Sequence, residues 1–155
     1  MGNICRSPAA EGIFKKFVQN KNLEDAIYVD SAGTIGYHTG ELPDERMRRL
    51  ASKYNYVLDS RARKFNPKYD FEKYDYIVTM DDNNYYDVLQ SDTNNKHDKK
   101  IFKMANFIND PGISEVPDPY YGSDKNFIQV IELLEIGAKN LLKKIEEDFE
   151  RDNKK

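Results

Sequence analysis

The string Gly2-Asn3-Ile4-Cys5-Arg6-Ser7-Pro8 constrains this chain more than any other stretch. Glycine and asparagine open a tight turn. Ser-Pro then begins a helix, with Ser7 expected as its N-cap and Pro8 at its first position. Apolar residues recur at Ala10, Ile13, Phe14, Phe17 and Val18, a helical period that reaches Asn20. A loop rich in backbone N–H groups thus runs straight into a helix N-terminus, with the Arg6 guanidinium in its last position. That is an anion site, and a dianionic phosphate is its natural guest. Taken alone, the string also fits a plain turn beside a surface cation.

Strand and helix patterns alternate along the rest of the chain. Ala26-Ile27-Tyr28-Val29 reads as a short buried strand ending in Asp30-Ser31-Ala32-Gly33-Thr34. A loop with Tyr37 and His38 follows. Leu42-Pro43-Asp44-Glu45 opens a second helix, with Pro43 near its first position and Met47, Leu50, Ala51 and Tyr54 on its apolar face. Val57-Leu58 is a brief extended piece and Asn66-Pro67 a turn. Tyr74 to Asp81 is the clearest strand signal, with Asp81 at its carboxyl end. Asn83 to Gln90 reads as a short helix, Ser91 to Lys99 as a polar loop and Ile101 to Met104 as the last strand. A long loop through Pro117-Asp118-Pro119-Tyr120-Tyr121-Gly122 leads to a helix from Asp124 to Phe149. The expectation is one α/β domain over 1–149 with a frayed tail, 150–155. Its sheet is parallel, with helices on both faces. Ligands of such sheets bind at the carboxyl ends of the strands. The opening loop, Asp30-Ser31, Asp81 and the Asp118 loop all fall at that edge.

Composition narrows the function. A chain of 155 residues is long enough for one real core, and 39% apolar with 33% charged residues suits a soluble globular protein. A net charge of −3 gives no bulk case for nucleic acid or membrane partners. No apolar run spans a bilayer and no signal peptide is visible. A single cysteine forbids an intramolecular disulfide, fits a reducing cytoplasm and excludes a cysteine-ligated zinc. His38 and His97 lack ligand-like spacing, so neither metal nor cofactor is expected.

Gly2-Asn3-Ile4-Cys5-Arg6-Ser7-Pro8 resembles the active-site loop of the low-molecular-weight protein tyrosine phosphatases. Asp30-Ser31-Ala32-Gly33-Thr34 and Asp118-Pro119-Tyr120-Tyr121-Gly122 resemble two further family segments, and the likeness spans nearly the whole chain. It implies a three-layer fold on a four-stranded parallel sheet. It implies that Gly2, Asn3, Ile4, Cys5, Arg6 and Ser7 bind phosphate and that Ser31 supports the loop. Tyr37, Tyr120 and Tyr121 would wall an aromatic slot, although with 11 tyrosines in the chain plain aromatic packing also accounts for them. Ser60 stands where the family usually has a histidine that bonds to the loop region.

The family nucleophile is a cysteine six residues before the loop arginine. Counting back from Arg6 lands ahead of Met1, so that cysteine is not in this sequence. Cys5 matches the second loop cysteine, a redox partner of the first. The strand that leads into the loop is absent too, between Ala26–Val29 and Tyr74–Met80 by the family's order. Either the start is assigned one element late or the chain is truncated.

The chemistry needs a nucleophile at phosphorus, donors for the equatorial oxygens and an acid for the leaving phenolate. Arg6 supplies a planar fork that matches two phosphoryl oxygens. Asp118, between two prolines that hold it extended, is the expected general acid, although a lone Asp-Pro is also an ordinary turn. Expected partners are phosphotyrosine proteins or small aryl phosphates, with inorganic phosphate as product or inhibitor. The chain as written is expected to be inactive for want of the nucleophile. The alternatives are a phosphotyrosine- or oxyanion-binding module without turnover and an arsenate reductase. The latter needs further cysteines downstream, and none follows Cys5.

Overall fold

A computed structural model describes residues 2–154; the parts of the expected domain and tail that fall on Met1 and Lys155 lie outside them. The elements in order are α1 (Arg6–Asn20), α2 (Glu45–Ser52), α3 (Pro67–Lys73), β1 (Ile77–Thr79), α4 (Asp82–Ser91), β2 (Ile101–Lys103) and α5 (Asp124–Asn153). Short 3₁₀ turns at Thr93–Asn95 and Asp98–Lys100 interrupt the expected polar loop, and another, Met104–Phe107, follows β2.

Strands β1 and β2 pair in parallel, Ile77 with Ile101 and Thr79 with Lys103. Side chains alternate across this ribbon because a strand has period two. Val78, Met80, Phe102 and Met104 join the large core, made with α1, α2 and α5. Ile77 and Ile101 face the other way and pack with Phe71 of α3 and Val88 of α4. Helices therefore cover both faces, as an α/β fold requires. In the large core α1 lies along α5, with Ile13 and Val18 against the stripe that includes Phe127, Ile131, Leu134 and Ala138.

Several expectations change. Among the described residues the sheet shows two strands, where the four-stranded sheet without its leading strand would show three. Residues 26–29 form no ladder; beyond them a single parallel bridge joins Gly33 to Lys64. The Tyr74–Asp81 segment pairs only over Ile77–Thr79. Helix α1 starts at Arg6 with Cys5 as N-cap, because the Ser7 hydroxyl accepts a hydrogen bond from the Asn3 side chain instead of capping. Asp44 caps α2; its carboxylate accepts the N–H groups of Arg46 and Met47, which leaves Pro43 outside the helix rather than near its first position. The Asn66-Pro67 turn is the start of α3. Proline fits N1 there, and the buried Asp70 carboxylate accepts the Asn66 N–H while pairing with Arg63. Helix α5 continues past Phe149 to Asn153, carried by Lys144, Arg151 and Asp148 ion pairs.

Candidate active site

The loop that leads into α1 is built on Asn3. Its φ of 63° lies in the left-handed region, which asparagine tolerates better than most residues. The side chain is 3% exposed and fully used. Nδ2 donates to Ser7 Oγ at 3.1 Å and to Ser31 Oγ at 3.0 Å, while Oδ1 accepts the Arg63 N–H at 3.1 Å. Asn3 thus ties the loop to α1, to the Asp30–Thr34 segment and to the 60–65 stretch. Gly2 sits so close to His38 that an added Cβ would come 2.6 Å from its Cδ2.

Ser31 passes the chain of bonds onward. Its hydroxyl donates to Glu11 Oε1 at 2.6 Å, and the other Glu11 oxygen pairs with Lys15 one turn along α1. Glu11 is 5% exposed, a buried carboxylate that sequence reasoning missed. Its signals were the Glu–Lys spacing of four and its place between the apolar Ala10 and Phe14. A glutamate thus backs Ser31.

Cys5, at the start of α1, offers the helix no side-chain cap, so the first N–H groups of the helix meet no protein acceptor of that kind. Arg6 is 4% exposed. Its Nη1 donates to the Val116 carbonyl at 2.8 Å, and its Nη2 lies 2.9 Å from Asp81 Oδ2 and 4.0 Å from Asp118 Oδ2. Asp81 comes from the end of the β1 segment and caps α4 with its other oxygen, accepting the Asn84 N–H at 2.7 Å. Sequence reasoning placed Asp81 at this edge but gave it no partner. The Asp118 carboxylate is half-exposed and closes a tight turn by accepting the Tyr120 N–H at 3.1 Å.

Burial, reinforced by the carboxylates of Asp44 and Asp118, pushes the Cys5 thiol up to about 12. A thiol in that state is protonated at neutral pH and a poor nucleophile. Cys5 also adjoins Arg6, whereas the family nucleophile stands six residues before it.

The expected aromatic walls line one cavity of about 810 Å³ together with Asp118, but they do not form one stack. Tyr120 and Tyr121 stack at 5.0 Å between centroids, whereas Tyr37 packs edge-on against His38. Tyr37 and Tyr121 are almost fully exposed. The same cavity runs on between Ile27–Val29 and Ile77–Met80, and Leu141 and Ile145 of α5 line it as well. Among the described residues no helix is long and apolar enough to cross a membrane.

Known proteins share both the pattern and the fold. The chain is 43% identical, over 92% of its length and 90% of the relative's, to a putative low molecular weight protein-tyrosine-phosphatase of Synechocystis sp.. It is 35% identical to the human low molecular weight phosphotyrosine protein phosphatase, over 82% of this chain and 80% of that one. A crystal structure of a protein tyrosine phosphatase from Entamoeba histolytica, with Hepes in its active site, superposes with a TM-score of 0.91 at 45% identity, covering 96% of this chain and 94% of the other. Residues 1–151 match the family described as low molecular weight phosphotyrosine protein phosphatase. On that match and those identities, the chain belongs to the low molecular weight phosphotyrosine protein phosphatase family.

Proposed function

We propose that this site binds the phosphate of phosphotyrosine or of small aryl phosphates. We also propose that it hydrolyses them only when a cysteine stands six residues before Arg6. One observation carries the reading: a buried guanidinium, held by Asp81 and the Val116 carbonyl, lies 4.0 Å from a half-exposed aspartate at the mouth of a phosphate-type loop. Arg6 and the N–H groups of Gly2 to Arg6 would hold the equatorial oxygens, Ser7 and Ser31 would keep the loop in shape through Asn3, and Tyr37, Tyr120 and Tyr121 would flank the phenyl ring.

With the upstream thiolate present, sulfur attacks phosphorus as the ester P–O bond breaks, and the leaving phenolate takes the Asp118 proton. Water then attacks the cysteinyl phosphate, the S–P bond breaks, and the Asp118 carboxylate accepts the water's proton. Inorganic phosphate leaves and the thiolate is regenerated. Cys5, kept protonated by burial, takes no part in either step. The gap between Ile27–Val29 and Ile77–Thr79 suits an interior strand, which would make the sheet four-stranded. A lone cysteine suits a reducing compartment such as the cytoplasm.

On this reading residues 1–155 by themselves would bind phosphate without turnover. Assayed with an aryl phosphate they should show no enzyme-like rate, whereas the chain preceded by an aliphatic strand and cysteine should turn over. A rate of about 1 per second or more from the 155 residues alone would overturn the reading. Phosphate affinity that is unchanged in Arg6→Ala would overturn the anion site itself.

A further inference from the structure

Helix α2 begins against both active-site loops. The Asp44 N–H donates to the Ile4 carbonyl at 2.7 Å, which ties the helix start to the phosphate loop. Two residues further in, the Arg46 guanidinium reaches the Asp118 loop. Its Nη2 donates to the Tyr120 carbonyl at 2.7 Å and its Nη1 to the Gly122 carbonyl at 3.4 Å. The Asp44 carboxylate lies 3.5 Å from its Nε. The guanidinium carbon is 4.6 Å from the Phe127 ring centroid and 5.8 Å from that of Tyr120.

Tyr120 is therefore held from both sides. Its N–H goes to Asp118 Oδ1 and its carbonyl to Arg46. We propose that Arg46 is a positioning residue for the acid: it clamps the 118–122 turn so that the Asp118 carboxyl stays over the phosphate loop beside Arg6. The proposal rests on the acid role proposed for Asp118. Lysine would serve poorly, because one ammonium cannot bond two carbonyls in a plane while lying over an aromatic ring. Nothing in the sequence marks Arg46 out from its neighbours Arg48 and Arg49, which bond to the Pro43 carbonyl and to Asp124 instead.

The test uses the chain preceded by the strand and cysteine, with a series of aryl phosphates of falling leaving-group acidity. Arg46→Ala should lower kcat roughly 10- to 100-fold for phenyl phosphate, because a misaligned acid loses much of its effect. For a strongly acidic nitrophenol ester, which needs little protonation, the loss should stay within about threefold by the same principle. KM should change little, and Arg46→Lys should recover only part of kcat. In an Asp118→Asn background Arg46→Ala should cost nothing further, since both act on one proton transfer. An equal loss across the series, or full additivity with Asp118→Asn, overturns the proposal.

If Asp118→Asn itself shows no leaving-group dependence, the acid assignment fails, and hydrogen exchange on the 155-residue chain judges the clamp separately. There Arg46→Ala should speed exchange at 120–122 by roughly tenfold, while Arg49→Ala leaves those amides unchanged. Unaltered exchange in Arg46→Ala refutes the clamp whatever Asp118 does.

Discussion

Asp81→Asn tests how the site holds its cation. Asp81 Oδ1 caps α4 and Oδ2 pairs with Arg6. Asparagine caps a helix about as well as aspartate, so the cap survives while the charge is lost. With the asparagine oxygen on the Asn84 N–H, its amide NH₂ turns toward Arg6 and offers no acceptor. Arg6 is 4% exposed, so water cannot replace the lost partner. Breaking a buried ion pair costs about 3–5 kcal/mol. Here the Val116 carbonyl remains at 2.8 Å and Asp118 at 4.0 Å, which softens the loss. The expected cost is that of one hydrogen bond to a charged group, about 2 kcal/mol. Urea unfolding at neutral pH should show it as a lower midpoint with an unchanged slope. Phosphate should return part of it, since a bound anion supplies the missing charge, so the variant should gain more stability per phosphate than the parent. A loss below about 0.5 kcal/mol, the worth of an ordinary surface pair, or an equal phosphate gain in both proteins, would refute a buried cation aimed in advance.

Cys5 should resist alkylation. With the thiol pushed up to about 12, its reaction with iodoacetamide at pH 8.5 should run at least 100-fold slower folded than in urea, where the thiol returns to about 8.5. Because the folded value is the higher, this group's contribution to stability is complete below about pH 8.5 and is lost as pH rises toward 12. Asn3→Ala should cost about 2–4 kcal/mol through its lost hydrogen bonds and its left-handed backbone. Asn3→Gly should recover about 1 kcal/mol of that; equal unfolding midpoints for the two variants would show that the backbone is not strained. An aliphatic strand placed ahead of Met1 should raise the denaturant midpoint. Four or five buried side chains at roughly 1.5–3 kcal/mol each outweigh about 1–2 kcal/mol of ordering per residue once ladder bonds form. Equal midpoints, with both chains monomeric, would refute it.

The two long helices were legible because each carries an apolar stripe over several turns, and α1 and α5 bury those stripes against one another. The strands were legible in place but not in length. The apolar run from Tyr74 exceeds the three residues that pair, because a ladder needs a neighbour and not only a suitable composition. Residues 26–29 have the composition without a paired neighbour among the described residues. Helix α3 was hidden because Asn-Pro reads equally as a turn or as a helix start. The deciding group, Asp70, takes its bonds from Asn66 and Arg63 in the folded chain. Arg6, Ser31 and Asp118 could be gathered at one edge from the strand pattern. The roles of Glu11, Asp81 and Arg46 could not, since polar residues on helix faces and strand ends look alike until their partners, 20 to 75 residues away, arrive.

The pairing of α1 with α5 also sets a clock. Helix α1 ends at Asn20, while its partner starts at Asp124 and runs to Asn153. On a ribosome adding about 5–20 residues per second, the apolar face of α1 waits on the order of ten seconds for its cover. Neither β1 nor β2 can shelter it alone, since two three-residue strands make too small a surface. The loop that follows Gly2 therefore takes its final shape late. Asp81, Val116 and Asp118 must all have emerged before Arg6 finds its partners. Folding of the candidate site is an end-to-end event, and a stall or cut anywhere before α5 leaves a sticky helix rather than a partly assembled site.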